Sequence, residues 1–207
     1  PERAQRTTTS KTTRAPRGGS KRVRIGVRRS LGFAAPRDSW VTRGPSQPSG
    51  DPRRPRCEAF RAAAVDSAGA KVVVVGRTEK ELQRVADIIA AAGGEAIAVR
   101  ADVTRTVDVE AMVKAVMDRY GRIDVLVNGV GGWTKLAPVT EISDDDWDEV
   151  LTLNLTSTFR CVRAVAKIMI AQKHGRIINM ASQSGVGPNP GTNSNIPYAC
   201  SKAAVIA

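Results

Sequence analysis

The sequence predicts an α/β fold in which helices cover both faces of a doubly wound parallel sheet. Two observations carry this reading. Short apolar runs, Lys71-Val72-Val73-Val74-Val75, Ala96-Ile97-Ala98-Val99, Val125-Leu126-Val127 and Gly175-Arg176-Ile177-Ile178-Asn179-Met180, mostly lack the alternation of a half-exposed strand. The first run has the mark of a strand buried on both faces, and Val125-Leu126-Val127 again reads as a buried strand. Between them lie segments with apolar residues at helical spacing, so strands and helices alternate as in βαβ units.

In chain order, Cys57 to Ala68 reads as a short Ala-rich helix stopped by Gly69. The strand of Val72 to Val75 follows. Thr78-Glu79-Lys80-Glu81 has the form of a capping box. It opens a helix with Leu82, Val85, Ile88 and Ile89 on one face, ended by Gly93-Gly94. The strand from Ala96 runs on to Asp102. A second amphipathic helix carries Val109, Met112, Val113, Val116 and Met117 and closes at Gly121. The next strand ends at Asn128. Ser143, followed by Asp144, Asp145 and Asp146, caps a long helix, since carboxylates suit its positive end. That helix is expected to run past Asn154, a poor helix former, to Gln172. A last strand ends at Ala181, a Gly/Pro/Asn-rich loop follows, and Pro197 opens a helix.

A chain of 207 residues has room for one α/β core and not for two sizeable domains. No run of eighteen or more apolar residues occurs, which argues against a membrane span. Cys57, Cys161 and Cys200 form no CxxC and are odd in number, which argues for a reducing, cytoplasmic setting. His174 has no partner at ligand spacing, so no metal site is expected and a surface position is.

The net charge of +12 is unevenly placed: residues 1–56 hold 15 Lys/Arg against 3 Asp/Glu, and the remaining 17 of each sign cancel. That first stretch is rich in Arg, Pro, Gly, Ser and Thr, a composition whose default is disorder. It fits a basic nucleic-acid arm, a transit peptide, a solvated linker or sequence foreign to the fold. Its aromatics are Phe33 and Trp40, too few for base stacking, which argues against nucleic acid as a partner.

The chemistry concentrates near the end. Tyr198 and Lys202 stand four apart and share a helix face. A phenol beside an ammonium is an arrangement for moving a proton, because a fixed positive charge favours the phenolate. Tyr-x-x-x-Lys alone is a weak signal, but a Ser-bearing strand end precedes it at Ser182. Over residues 57–207 the chain resembles the short-chain dehydrogenase/reductase family. That family's catalytic Ser follows the fifth strand, and its Tyr-x-x-x-Lys opens the next helix. Ser182 fits the family's Asn-x-x-Ser-x-x-Gly through Asn179 and Gly185, ahead of Ser184.

The resemblance implies a Rossmann-type sheet and an NAD(P)(H)-dependent oxidoreductase acting on a small carbonyl or alcohol substrate. Ser182 would hold the substrate oxygen and Tyr198 would act as general acid and base. Lys202 would assist Tyr198, and both would meet the nicotinamide ribose. Asn154 matches an Asn that bends its helix around a water and links Lys202 to solvent. Gly76 and Arg77 stand where the family places an acidic residue on a ribose 2′-hydroxyl. A guanidinium suits a 2′-phosphate, so NADP(H) is favoured over NAD(H). Asp102 matches the Asp that receives the adenine amino group, with Val103 packing on the ring. Asn128 and Gly131 match the ends of Asn-Asn-Ala-Gly. Gly129 and Val130 depart from it: an amide tying the central strands is lost, and bulk is added where a ribose passes. The family's pairing helices correspond to residues 144–172 and 197 onward, which implies a homo-dimer or homo-tetramer. Acyl-thioester, sugar, alcohol and steroid substrates stay open.

One part of the pattern is missing. The family begins with a buried central strand and a Gly-x-x-x-Gly-x-Gly turn for the pyrophosphate. Gly18-Gly19-Ser20-Lys21 is out of register for that turn, and Val23-Arg24-Ile25-Gly26-Val27 alternates with arginine like a half-exposed strand. The expectation is therefore a partial domain over 57–207, without the first strand, its turn and the C-terminal strands, and with residues 1–56 outside the fold. Unpaired inner edges, at about 1–3 kcal/mol per buried group, would then impair folding and activity. An inactive product, or nucleic-acid binding through the basic arm, is the alternative.

Overall fold

A computed structural model describes residues 23–27, 70–134, 136–187 and 195–207. The helix expected over Cys57 to Ala68 and the Gly18-Gly19 fragment lie outside the described residues. The strands are β1 (Val23–Val27), β2 (Lys71–Gly76), β3 (Glu95–Arg100), β4 (Val125–Asn128) and β5 (Arg176–Asn179). They pair in parallel in the order β3-β2-β1-β4-β5. The described helices are α1 (Glu79–Ala91), α2 (Thr106–Tyr120), α3 (Asp144–Leu151), α4 (Ser157–Ala171) and α5 (Ile196–Ile206). The expected doubly wound sheet is present, with strand order reversing at β1 and β4.

The expectation of a missing first strand is corrected. Val23 to Val27 occupies the central position, with Ile25 opposite Val73 of β2 and Leu126 of β4. Val23 and Ile25 are 1% and 0% exposed and belong to the main core, with Val109, Met112 and Val116 of α2 and Val165 and Met169 of α4. On the other face Arg24 is half-buried beside Gly26, where a long aliphatic stem is tolerated. The apolar partners of α1 on that face are Val72 and Val74 of the neighbouring strand, packed with Leu82 and Ile89. A central strand can therefore be apolar on one side only. Both inner edges are paired, so the cost expected from open edges at β2 and β4 does not arise.

The helical faces read from spacing are the buried ones, Leu82 and Ile89 in α1 and Val109, Met112 and Val116 in α2. Ser143 forms a reciprocal capping box with Asp146. The helix expected to run past Asn154 to Gln172 consists of α3, a wider π turn over Thr152–Thr156 that contains Asn154, and α4. Among the described residues no helix is long and apolar enough to cross a membrane.

The amino ends of the central strands are tied by one carboxylate. The Val23 N–H donates to Asp124 Oδ2 at 2.7 Å, while Arg122 donates through Nη2 and Nε at 2.6 and 2.9 Å. The Asp124 backbone also bonds Val23 on one side and Arg176 on the other. His174 is largely exposed, as the sequence suggests, with Nε2 at 3.9 Å from Asp124. Burial pushes the Asp124 carboxyl up. The Arg122 fork, the Val23 N–H and the nearby charges outweigh that and hold it below the usual range. A depressed folded pKa gives stability that is present above the unfolded value of ~3.9 and is lost as pH falls through the folded value. Asp124→Asn is expected to cost about 1–3 kcal/mol at pH 7. Urea unfolding at pH 7 and pH 3 should show the gap between variant and wild type narrowing in acid.

Candidate active site

At the carboxyl ends of the strands, where ligands bind in such sheets, the described chain brings together buried Asn128, Asn154 and Lys202. Asn154 sits in the π turn between α3 and α4, a feature frequent at functional sites, and it is 0% exposed. Its Oδ1 accepts from the Gly132 N–H at 3.0 Å. Its Nδ2 donates to the Gly132 carbonyl at 2.7 Å and to the Val150 carbonyl at 2.8 Å. Asn154 thus clamps the backbone of the loop after β4, which is the role visible in these contacts for the residue expected to act as a relay. Thr158 Oγ1 donates to the Asn154 carbonyl at 2.9 Å.

Gly131 is the place where three elements meet. A Cβ there would lie 2.7 Å from Asn154 Oδ1 and 2.8 Å from Lys202 Nζ. A glycine is required because the amide and the ammonium close on its backbone. Asn128 at the end of β4 donates through Nδ2 to Asn179 Oδ1 of β5 at 2.9 Å. This ties the central strands without an amide at position 129. Val130, expected to add bulk beside a ribose, is buried in the main core.

Pro197 lies in the first turn of α5, as the sequence predicts. Lys202 is 4% exposed, and its Nζ donates to the Met180 carbonyl at 2.8 Å. Burial pushes its ammonium pKa down. The Nζ stands 5.7 Å from the centroid of the Tyr198 ring. Ser182 precedes a 3₁₀ turn, Gln183–Gly185, and its Oγ accepts from the Ser184 N–H at 3.2 Å. Ser184, the rival serine, thereby helps fix Ser182. Gly185 lets this turn press on α5, since a Cβ there would lie 2.6 Å from the backbone of Lys202 and Ala203.

The second half of the site lies at the ends of β2 and β3. Gly76 accepts through its carbonyl from the Ala101 N–H at 2.8 Å. The exposed Arg77 guanidinium stands 4.0 Å from Asp102, and Arg100 Nε donates to the Arg77 carbonyl at 3.2 Å. Asp102 Oδ1 accepts from the Thr104 N–H and hydroxyl at 3.0 and 2.7 Å. Burial pushes this carboxyl up, but the Thr104 bonds and the Arg77 and Arg105 charges outweigh it and hold it low. Val103 is packed into the main core. Arg160 of α4 donates to the Thr104 carbonyl, linking that helix to the Asp102 turn.

Sequence reasoning missed Trp133, Gly132 and Arg100. The Trp133 and Tyr198 rings meet in a T-shaped contact, with centroids 5.2 Å apart and planes at 65°. A tryptophan directly after two glycines in the loop past a central strand was the available signal. Among the described residues no cluster of His, Cys, Asp and Glu could hold a metal ion.

A family model described as short chain dehydrogenase matches residues 60–207. The chain is 42% identical over 146 residues to a 3-oxoacyl-[acyl-carrier-protein] reductase of Synechocystis sp., covering 70% of this chain and 58% of that protein. It spans little more than half the length of the curated relatives it matches. A short chain dehydrogenase from Mycobacterium smegmatis superposes with a TM-score of 0.71 at 30% identity, covering 90% of this chain and 68% of that one. A metagenomic short-chain oxidoreductase in complex with NADP superposes with a TM-score of 0.67 at 34% identity, covering 72% and 66%.

The contact at Gly185 gives a direct test. Gly185→Ala forces the Ser182 turn away from rigid helix backbone and is expected to destabilise by about 1–3 kcal/mol. A lowered urea midpoint with an unchanged slope would show it.

Proposed function

The chain belongs to the short-chain dehydrogenase family, and on that premise we propose that it is an NADP(H)-dependent oxidoreductase interconverting a carbonyl and an alcohol. The observation that carries this is the convergence of a buried Lys202, the Asn154 clamp and Tyr198 at one end of the sheet.

A nicotinamide dinucleotide presents phosphates, ribose hydroxyls and an adenine amino group, and the donor set suits it. Arg77 is an exposed cation for a 2′-phosphate, Asp102 is an ionised acceptor for the amino group, and Lys202 is a buried donor for the nicotinamide ribose. The bound cofactor would supply hydride. The NADP in the solved metagenomic relative supports the choice of cofactor.

The protein's own residues handle the proton. Because Ser182 Oγ accepts from Ser184, its O–H is left to donate to the substrate oxygen. Tyr198 gives its phenolic proton to that oxygen in reduction and takes it back in oxidation. Lys202 places a positive charge beside Tyr198, and the Met180 carbonyl keeps its ammonium in place. The name of the Synechocystis relative makes a 3-oxoacyl thioester a first substrate to assay.

Tyr198→Phe is expected to lower kcat for NADPH-dependent carbonyl reduction by about 10²–10⁴-fold. Arg77→Glu should reverse or reduce the NADPH-over-NADH ratio of kcat/KM by about tenfold or more. Equal use of both cofactors by the wild type would sink the NADP assignment while leaving the reductase in place. Since burial lowers the Lys202 pKa, its charge is lost below the usual ~10.4, and turnover should fall on the alkaline side before that pH.

A further inference from the structure

We infer that Trp133 forms the wall of the subsite beside the reacting carbonyl, and that the substrate carries a planar or bulky apolar group there. This rests on the oxidoreductase reading and adds the substrate class to it. A carbonyl that takes a proton from Tyr198 must lie within about 2.6–3.2 Å of the phenol oxygen. The indole, whose centroid is 5.2 Å from the phenol's, is then within reach of that carbonyl's substituents. Trp133 still leaves 43% of its surface to solvent, so the Tyr198 contact uses only part of the ring system.

The indole also has a firm base. Both backbone polar groups of Gly132, the residue before it, are held by the buried Asn154 amide. A side chain on such a support can fix the orientation of what it touches. The segments that carry the site also expose apolar side chains, alongside the polar Gln183 of the Ser182 turn. Met180 follows β5 and binds Lys202 through its carbonyl, Val186 follows the Gly185 contact with α5, and Leu136 lies three residues past Trp133. Lys202, the ammonium beside Tyr198, is directed at the Met180 carbonyl. An aromatic or alicyclic face would pack on the indole, a surface that a sugar's hydroxyls would not use.

The test compares two ketones, 1-tetralone and dihydroxyacetone, as substrates of the full chain with NADPH. The readout is the ratio of their kcat/KM values in wild type, Trp133→Ala and Trp133→Phe. The ratio is expected to fall about tenfold in the Ala variant and to stay within about threefold in the Phe variant, the span that an aromatic contact supports. Wild-type fluorescence should change on adding 1-tetralone, and that change should be lost in Trp133→Phe, where Trp40 and Trp147 remain as internal references. The fluorescence measurement stands even if the Ala variant does not fold. Turnover of both ketones with an unaltered ratio in Trp133→Ala, or a fluorescence change that survives in Trp133→Phe, would overturn the inference and leave the reductase intact. NADPH turnover with neither ketone and with no 3-oxoacyl thioester would overturn the oxidoreductase reading itself, and the inference with it.

Discussion

The Asn154 side chain is fully buried and commits its oxygen and both amide hydrogens to backbone, two of the three bonds going to Gly132 and one to Val150. A buried polar group left without a partner costs about 1–3 kcal/mol, so the amide and the Gly132 peptide depend on each other. Through that bond the π turn sets where the loop after β4 runs. The loop in turn sets Gly131 against Lys202 and places Trp133 against Tyr198. Three segments distant in sequence therefore share one geometry, and shifting the amide would displace all of them.

The same dependence explains what could be read from the chain in advance. Strand β2 announces itself because burial on both faces keeps Val72 to Val75 apolar, while β3 and β4 read as apolar runs with only partial burial. β1 does not, because its core-facing Val23 and Ile25 alternate with Arg24 and Gly26. Its place is fixed by pairing with β2 and β4 and by the Asp124 carboxylate, which is distant in sequence. A pattern search over five residues cannot see a partner so far away. The break between α3 and α4 was half-visible: Asn154 was recognisable as a misfit in a helix, but the π turn that accommodates it is set by Gly132.

At the site, the residues with a distinctive type and spacing were legible, and their supports were not. Tyr198, Lys202 and Ser182 stand out by residue type and spacing. Gly185 was read only as the end of a motif, whereas its physical requirement is the contact between the Ser182 turn and the backbone of α5. Val130 misled for a related reason. Its bulk is real, but its side chain lies in the core and fills space between β4 and the helices. Local sequence gives the size of a side chain. The face on which it lands follows from the turn that carries it.

The two ends of the sheet treat buried charge in opposite ways. At the amino ends, the cost of burying Asp124 is outweighed by Arg122 and the Val23 N–H, so the carboxylate stays ionised through the neutral range as a fixed tie between strands. At the carboxyl ends, burial prevails for Lys202 and lowers its pKa, while the carbonyl of Met180 keeps the ammonium in place. A charge that has been partly desolvated acts more strongly on its neighbours than one in water, because the local dielectric is low. The tie needs its charge compensated in order to hold the strands. The ammonium, without an opposite charge among the described residues, stands 5.7 Å from the centroid of the Tyr198 ring. The tie at the amino ends of β1 and β4 and the ammonium at the carboxyl ends thus differ in whether a buried charge is given an opposite partner.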